Sequence, residues 1–415
     1  MKQAIVDRRG FLRIAGAAGV AGSFALAGCS SAAMSGAGQG TQGIETITIA
    51  GLSPLSGAYA QTGIDTNMIG KLVADARGKL LGQTLNYTPV DTQGLVDEAQ
   101  RVVTNAMQTK DVKYFFGVAS SSVALSVGSI INTNGGVFLT SVGADEVTGS
   151  SCNRGMFRWS VPTYGAIRET VIPMLKEDPT LKRWYAITPN YVFGQSLLDN
   201  AKAVLPQYGA ELVGNSFHSL DETQFSSYIA NAVAAKPDVL LLLNFSAQNT
   251  NTLKEAISFG LKEKMKILSV WATGLDQFEA LGAEATEGLY FGSQYWHEVD
   301  TPENKKFVKL VRDATGKPPN YPIAAGYAEI NLLLDAINKA GSAEDPAKVI
   351  KALEGYEYAG LTGTEKIRAD NHQVEKDYYF LKGKAKSQMK DEWDFVDVMS
   401  SGKSFLPVGQ TGCKL

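Results

Sequence analysis

The chain is poor in the residues on which most metal and redox sites depend, with three cysteines and three histidines among 415 residues. His218, His297 and His372 are far apart, and no HExxH or paired-cysteine spacing accompanies them, which argues against the usual zinc sites. No GxGxxG joins a predicted strand to a helix, no Walker loop ends in Gly-Lys-Ser/Thr, and no GxSxG elbow is present. We therefore expect no catalysis, no metal and no cofactor; an enzyme would need a mechanism outside these patterns.

An excess of charge of one sign is also missing. Lys and Arg number 39 against 42 Asp and Glu, a net charge of −3, so no broad basic surface for nucleic acid is expected. Beyond the N-terminus, no run approaches the roughly 18–20 apolar residues of a membrane span. With 44% hydrophobic and 20% charged residues, the chain is typical of a soluble globular protein, and its length indicates two or three domains.

Residues 1–28 have the layout of an export signal, in which basic residues precede an apolar stretch and small residues. Asp7-Arg8-Arg9-Gly10-Phe11-Leu12-Arg13 resembles a bacterial twin-arginine signal, although Asp7 stands where that signal usually has Ser or Thr. Leu26-Ala27-Gly28-Cys29 resembles a lipoprotein box, so Cys29 is the predicted lipidation site. The alternative is a short membrane anchor with an incidental cysteine, but the stretch is short and rich in glycine.

Residues 29–44 form a predicted tether. From Ser30 to Gly43 the chain has no charged residue and is mostly Ser, Ala, Gly, Gln and Thr, a composition typical of a flexible linker. Lipidation of Cys29 leaves Cys152 and Cys413, which we predict to form a disulfide because the exported chain meets an oxidising compartment. The alternative is two separate thiols.

After residue 45, β-rich runs alternate with helical patterns, which predicts parallel sheets covered by helices. The run Val239-Leu240-Leu241-Leu242-Leu243 is apolar on both faces, as a central parallel strand is. Helical patterns are predicted at Gly63–Arg77 and Val96–Gln108 and dominate from Thr301 to Leu353. The predicted strands are Thr46–Leu52, Leu85–Val90, Lys113–Val118, Gly136–Val142, Trp184–Thr188, Glu211–Phe217, Asp238–Asn244, Met265–Val270, Leu289–Ser293 and Tyr378–Leu381.

Four segments together resemble the type I solute-binding proteins of ABC transporters, in the branched-chain amino acid and amide group. They agree with that family in order and spacing from about residue 46 to residue 380. The segments are Ile49-Ala50-Gly51-Leu52-Ser53-Pro54-Leu55-Ser56-Gly57, Gly117-Val118-Ala119-Ser120-Ser121-Ser122, Tyr191-Val192-Phe193-Gly194 and Ala324-Ala325-Gly326-Tyr327.

The resemblance implies an α/β fold of two Rossmann-like βα lobes, with parallel-rich sheets, joined by a three-strand hinge. We expect lobe I to comprise residues 45–160 and 291–380, and lobe II residues 161–290 and 381–415. Such a protein captures a small solute between its lobes and delivers it to ABC permease subunits. The export signal and lipid box, read independently, predict a periplasmic or extracytoplasmic lipoprotein held at the membrane; a monomer is expected.

The resemblance also implies where the ligand binds. Ser120, Ser121 and Ser122 follow a predicted strand and open a helix, where hydroxyls and free N–H groups attract an anion or a carbonyl oxygen. In the family this loop holds the ligand carboxylate. Val142 and Gly143, after the next strand, are assigned to the same pocket. The alternative for the serine loop is a helix N-cap without a ligand.

Aromatic residues complete the predicted pocket. Tyr191, Phe193 and Phe245 follow strands of the second lobe, at the sheet edge where ligands bind in open α/β folds. Phe245 and Tyr327 also fall where the family usually has pocket aromatics. The alternative for each is ordinary packing between helices.

Departures from the family indicate the ligand. Trp271 falls where the amino-acid binders carry the acid that pairs with the ligand ammonium, and a buried ammonium without a partner is costly. Gly143-Ala144 replaces a hydroxyl-bearing residue, and Thr62 replaces a pocket tyrosine. We expect a carboxylate or amide with an apolar or aromatic body, rather than an α-amino acid.

Three alternatives stay open. Asp145 or Glu146 could supply the missing charge, which would permit an amino-acid receptor, and Trp271 could belong simply to the core. A sensor that signals to a regulatory partner could use the same fold.

Overall fold

The computed structural model describes residues 46–415, so the predicted export signal, lipid box, Cys29 and tether lie outside the described residues. The strands are β1 Thr46–Ser53, β2 Lys79–Leu80, β3 Gln83–Asp91, β4 Tyr114–Gly117, β5 Val137–Thr140, β6 Met156–Arg158, β7 Arg183–Pro189, β8 Glu211–His218, β9 Val239–Leu242, β10 Lys266–Ser269, β11 Tyr290–Ser293, β12 Glu357–Gly360, β13 Gly363–Ile367, β14 Val374–Glu375, β15 Tyr378–Gly383 and β16 Val396–Gly402. The α-helices are α1 Ala60–Arg77, α2 Val96–Lys110, α3 Ser121–Thr133, α4 Thr163–Glu177, α5 Val192–Val204, α6 Ser226–Ala235, α7 Ser246–Ser258, α8 Leu275–Leu281, α9 Ala283–Thr286, α10 Pro302–Thr315, α11 Tyr321–Ala340, α12 Pro346–Leu353 and α13 Val408–Thr411.

Lobe I is built on a six-stranded sheet in the order β2-β3-β1-β4-β5-β6. All neighbouring pairs are parallel except β2 with β3. Its strands are buried on both faces: along β4, Phe116 packs into the apolar cluster under α1 and α11, whereas Phe115 packs into the cluster under α2 and α3. The chain leaves β1 toward β3 and then returns to β4 on the other side, which opens a crevice at the carboxyl ends of β1 and β4.

Lobe II repeats this plan with seven strands in the order β16-β15-β11-β10-β9-β7-β8. β9 is fully buried and pairs in parallel with β7 and β10, which confirms the central strand predicted from its leucines. β15 and β16 are antiparallel and form one edge. All ten predicted strands are present, with ends shifted by about two residues or fewer.

Two of the predicted lobe boundaries are displaced by strand pairing. The boundary at 290/291 falls inside β11 and the boundary at 380/381 inside β15, and these two strands hydrogen-bond to each other in the lobe II sheet. The chain therefore enters lobe I again after residue 293 and returns to lobe II at Tyr378. The third crossing accordingly lies at residues 376–377.

The three crossings between the lobes are tied together by buried side chains. The Gln294 amide donates to the Val161 carbonyl at 2.8 Å and accepts from the Val161 N–H at 2.8 Å. The Lys376 ammonium donates to the Gln294 carbonyl at 2.6 Å. Burial lowers the pKa of Lys376 to about 7. One residue from each crossing thus takes part in a single hydrogen-bonded group.

The C-terminal tail, residues 403–415, returns from lobe II to lobe I. Arg368 of lobe I donates to the Leu406 carbonyl at 2.8 Å, and Lys403 donates to the Thr364 carbonyl at 3.0 Å. The Sγ atoms of Cys152 and Cys413 lie 2.01 Å apart, so the structure contains the predicted disulfide pairing. The tail is therefore a fourth connection between the lobes.

Candidate functional site

The candidate site is a cavity between the lobes, at the carboxyl ends of both parallel sheets. On lobe I it is lined by the loops after β4 and β5 and by the N-terminal halves of α1 and α11. On lobe II it is lined by residues that follow β7, β9 and β10. The cavity has a volume of about 30 Å³, enough for about two water molecules. The lobes therefore lie close together. The lining residues are Thr62, Thr66, Gly117, Val118, Ala119, Ser121, Ser141, Val142, Gly143, Tyr191, Phe193, Phe245, Trp271, Tyr321, Pro322, Ala325 and Glu329.

Seven of the ten predicted ligand-binding residues line this cavity, and the structure places the other three elsewhere. Ser120 is buried beside the cavity without lining it, and the half-buried Ser122 follows on α3. The seven that line it are Ser121, Val142, Gly143, Tyr191, Phe193, Phe245 and Trp271.

Tyr327 is on the wrong side of its helix. Its ring packs against Phe307, with ring centroids 4.4 Å apart, away from the cavity. The cavity face of α11 is formed instead by Tyr321, Ala325 and Glu329, which are spaced four residues apart and so lie above one another on one helix face. Tyr321 and Glu329 were not predicted from the sequence. Two signals pointed to them: their spacing along one helix face, and an acid placed between Ala328 and Ile330 in an apolar helix.

Six aromatic side chains form a closed belt around the cavity. The ring centroids of Tyr59 and Phe245 are 5.8 Å apart, those of Phe193 and Trp271 5.2 Å, and Tyr321 lies 6.3 Å from both Phe245 and Trp271. These separations are typical of favourable edge-to-face contacts. Tyr191 completes the belt, with its ring 5.9 Å from Phe193 and its hydroxyl 2.9 Å from that of Tyr59. Tyr59 and Tyr321 belong to lobe I and the other four to lobe II, so the belt spans the cleft.

Two glycines on the lining of the cavity have no room for a side chain, and Gly143 permits the close approach of the rings. A Cβ on Gly143 would lie 2.6 Å from the Phe193 ring and 2.7 Å from the Trp271 ring, so only hydrogen fits there. A Cβ on Gly117, whose φ is +105°, would lie 2.5 Å from the Leu52 carbonyl oxygen. Val118 follows with φ +62°, a left-handed conformation uncommon for a β-branched residue. Strain of this kind is found at ligand sites.

The serine loop opens α3 at the lobe I wall. Ser120 is the N-cap residue, but no side-chain hydrogen bond caps the helix. The Ser121 hydroxyl accepts from the Ala144 N–H at 3.2 Å, which leaves its own hydrogen free to donate. The N–H groups of the first turn of a helix have no partner within the helix. This wall therefore offers donors to an anion.

Glu329 supplies an acid that sequence reasoning did not find. Its side chain is buried, and its Oε1 accepts from the Ser141 hydroxyl at 2.5 Å. Its Oε2 is buried without a hydrogen-bond partner among the described residues. Burial raises the pKa of Glu329 to about 8, although the Ser141 hydroxyl and the Gly117 backbone favour the charged form.

Asp145 and Glu146 do not supply a charge to this cavity. Asp145 accepts from the Tyr164 N–H at 2.9 Å and from the Asn200 amide at 2.6 Å, both in lobe II, so it joins the lobes instead. With Glu146 it borders a separate cavity of about 220 Å³ near the hinge. The substitute charge that we considered at these two positions is therefore absent from the candidate site.

Arg158 places a positive charge behind the lobe I wall of the candidate cavity, next to the loop after β5. Its guanidinium is fully buried and donates to the carbonyl oxygens of Gly143 and Ala144, to Gln373 and to Thr148. Burial lowers the pKa of Arg158 to about 10, so it stays charged near neutral pH. None of these hydrogen bonds is to a carboxylate, but the nearby carboxylates of Asp145 and Glu146 favour the charged guanidinium.

Two kinds of feature are absent from the described residues. Among residues 46–415 no group of three or more His, Cys, Asp or Glu is placed to hold a metal ion. No helix in that part of the chain combines the length and the apolar character needed to span a membrane.

Comparisons with known proteins agree with the fold. The family model described as periplasmic binding protein matches residues 46–388. The Leu/Ile/Val-binding protein homolog 4 of Brucella melitensis is 27% identical over 373 residues, which cover 85% of this chain and 87% of that protein.

Solved structures have the same fold. The amino acid ABC transporter substrate-binding protein from Pseudomonas fluorescens Pf-5 is 50% identical with a TM-score of 0.86, over 90% of this chain and 100% of that one. A solute-binding protein of an R. palustris ABC transporter, in complex with benzoate, is 21% identical with a TM-score of 0.79, over 89% and 100%. The family match implies a periplasmic location. The chain therefore belongs to the periplasmic binding proteins and is a type I solute-binding receptor of ABC transporters, from a family that binds rather than transforms its ligands.

Proposed function

We propose that this receptor captures a small organic carboxylate with an apolar or aromatic body and delivers it to the permease of an ABC importer. The observation that carries the proposal is the division of the cavity into two unlike walls. Lobe I offers the Ser121 hydroxyl and the first turn of α3, backed by the Arg158 guanidinium. Lobe II offers the rings of Phe193, Phe245 and Trp271.

Each wall suits one part of such a ligand. A carboxylate at the start of α3 gains from unpaired N–H groups and from the helix dipole. An apolar or aromatic body gains from burial against the rings. Because the walls belong to different lobes, both contacts form together only when the lobes close. Closure would then report occupancy to the permease.

Lipidation of Cys29 would hold the receptor at the membrane next to its permease. The lipid box and the uncharged tether support this part of the proposal. One lipid chain gives only marginal membrane binding, whereas several chains anchor stably. We propose that the receptor acts as a monomer, since each chain contains both lobes of one cleft.

An amino-acid receptor is the second candidate, and two observations favour it. The buried Oε2 of Glu329 could accept from a ligand ammonium, and the structure that is 50% identical belongs to an amino acid transporter component. The benzoate complex, at 21% identity, shows that this fold accommodates an aromatic acid but does not choose between the two candidates.

Thermal shift of the chain from residue 44, which forms a compact unit, separates the candidates. We would compare benzoate, 4-hydroxybenzoate, hexanoate, benzamide and leucine at pH 7. A ligand that binds only the folded state raises the midpoint by mass action. Stabilisation by the aromatic or aliphatic acids and not by leucine is expected. Stabilisation by leucine alone would establish the second candidate.

A further inference from the structure

Among residues 46–415, Glu329 is the one acid that lines the candidate cavity, and its position on the lobe I wall sets what it can do. The loop after β5 contacts both it and the serine loop: Ser141 donates to Glu329 Oε1, and Ala144 donates to the Ser121 hydroxyl. A ligand carboxylate at Ser121 would therefore lie beside the Glu329 carboxyl. Ser121, Ser141 and Glu329 are all buried, so little water is available there to screen two charges from each other.

Two charged carboxylates in such a space repel each other, and sharing one proton removes the repulsion. Glu329 has the atom for this arrangement, because its Oε2 is buried and has no hydrogen-bond partner in the described part of the chain, while Oε1 already accepts a hydrogen bond. A protonated Oε2 donates a hydrogen bond, and charge-assisted bonds of this kind are short and strong. We propose that Glu329 is the specificity residue of the cleft and captures the solute as an acid–carboxylate pair. In this pair the protonated Oε2 of Glu329 donates a hydrogen bond to the ligand carboxylate.

Burial supports this assignment, since it raises the pKa of Glu329 to about 8 before any ligand enters. The other titratable or charged groups near it are on neighbouring elements. The Tyr321 hydroxyl donates to the Ser141 carbonyl, and Tyr114 on β4 donates to the Ala343 carbonyl. The elements packed against α11 carry Asp65 on α1 and the exposed Lys348 and Lys351 on α12. Asp276 on α8 interacts with Asp65, and Arg158 lies behind the loop after β5.

The inference rests on the proposed function and makes a distinct prediction about pH. Only the receptor with a protonated Glu329 carboxyl binds the carboxylate. Above pH 8 the dissociation constant is therefore expected to rise about tenfold per pH unit. Binding in that range takes up about one proton from the buffer. Benzamide can accept from a neutral Glu329 or donate to a charged one, so its affinity is expected to change less than about threefold.

The test is isothermal titration of benzoate, hexanoate, benzamide and leucine into wild type, E329Q and E329A between pH 6.5 and 9.5. Glutamine has the shape of glutamic acid and donates at every pH, so E329Q is expected to bind benzoate or hexanoate with little dependence on pH. E329A lacks the donor and is expected to bind about tenfold more weakly or worse. Repeating the wild-type titration in buffers of different ionisation heat measures the proton uptake without any variant.

Three results would overturn the inference. If wild type binds a carboxylate with the same affinity from pH 6.5 to 9.5 and without proton uptake, Glu329 takes no part, while the proposed function stands. If E329Q abolishes leucine binding that wild type shows, Glu329 is instead the partner of an ammonium. If neither carboxylate binds wild type at any pH, the proposed function fails and the inference fails with it.

Discussion

The phenolic oxygens of Tyr59 and Tyr191 lie 2.9 Å apart across the cleft and join the two lobes directly. Tyr59 belongs to the turn before α1, and Tyr191 is the residue that precedes α5. Burial raises the pKa of Tyr59 to about 12, so the hydroxyl keeps its proton throughout the physiological range. The pair exists only when the lobes are closed, and it therefore contributes to the free energy of closure.

Replacing Tyr191 with Phe removes this bond and leaves the Tyr59 hydroxyl buried without a partner. The loss is about 1–1.5 kcal/mol, so the dissociation constant of the best carboxylate in the thermal-shift panel is expected to rise about fivefold to tenfold. Tyr87→Phe is the matched control, because the Tyr87 hydroxyl donates to Asn67 within lobe I. Equal effects of the two changes would show that the Tyr59–Tyr191 pair has no special role in closure.

Gly143 tests whether close aromatic contact is needed for closure. A Cβ there would lie 2.6 Å from Phe193 and 2.7 Å from Trp271, both on the opposite lobe. Gly143→Ala is therefore expected to hold the lobes apart, weaken ligand binding at least about tenfold and increase the radius of gyration in solution scattering. Each lobe keeps its own core, so its secondary structure should not change.

Gly409→Ala provides the control for this change. Apart from its chain neighbours and the backbone of its own helix, no atom of the described residues lies within 4 Å of a Cβ built on Gly409, and its φ is not positive. The variant is expected to bind and scatter like wild type. A Gly143→Ala protein that also matches wild type would mean that the lobes close without contact between Gly143 and the rings.

Much of this arrangement could be predicted from the sequence because strands and the loops after them are local features. Ser121, Gly143, Tyr191, Phe193, Phe245 and Trp271 each follow a strand within a few residues, and the carboxyl ends of parallel strands converge at one edge. The apolar run at β9 and the alternation of strand and helix fixed the architecture in the same way. Those predictions did not require knowing how the two lobes pack against each other.

Other features depend on geometry that the sequence does not contain. Tyr327 and Glu329 are two residues apart on α11, about half a turn, and only the packing of α11 against α1 decides which side faces the cavity. The lobe boundaries at β11 and β15 depend on an antiparallel pairing between strands that are nearly ninety residues apart in the chain. Asp145 was close in sequence to the cavity yet bonds to lobe II.

The cysteine pair predicts a link between lobe I and the tail. Mass spectrometry of unreduced peptides is expected to find Cys152 and Cys413 joined. Replacing both with Ser is expected to lower the free energy of unfolding by about 2–4 kcal/mol, measured by denaturant titration. Reductant should destabilise wild type by a similar amount and leave the double variant unchanged. Free thiols at both positions in the exported protein would contradict the pairing.

The raised pKa of Glu329 also predicts how the free energy of unfolding depends on pH in the absence of ligand. The pKa of Glu329 is about 8 in the folded chain, against an ordinary value of 4.5. The folded state therefore binds more protons than the unfolded state between about pH 4.5 and 8. The contribution of protonated Glu329 to the free energy of unfolding is fully present below pH 4.5. It is lost as the pH rises through that window, by at most about 1.4 kcal/mol per pH unit.

Comparing wild type with E329Q isolates this contribution from the other titrating groups, including Lys376 at the hinge. The free energy of unfolding of wild type is expected to fall relative to E329Q from about pH 5 to pH 8, and the difference should level off above pH 8. Urea titrations at each pH measure it. A difference that stays constant across the range would mean that Glu329 is already ionised near its ordinary pKa. The carboxyl would then face the cleft as a negative charge, and a cationic solute would take the place of the carboxylate.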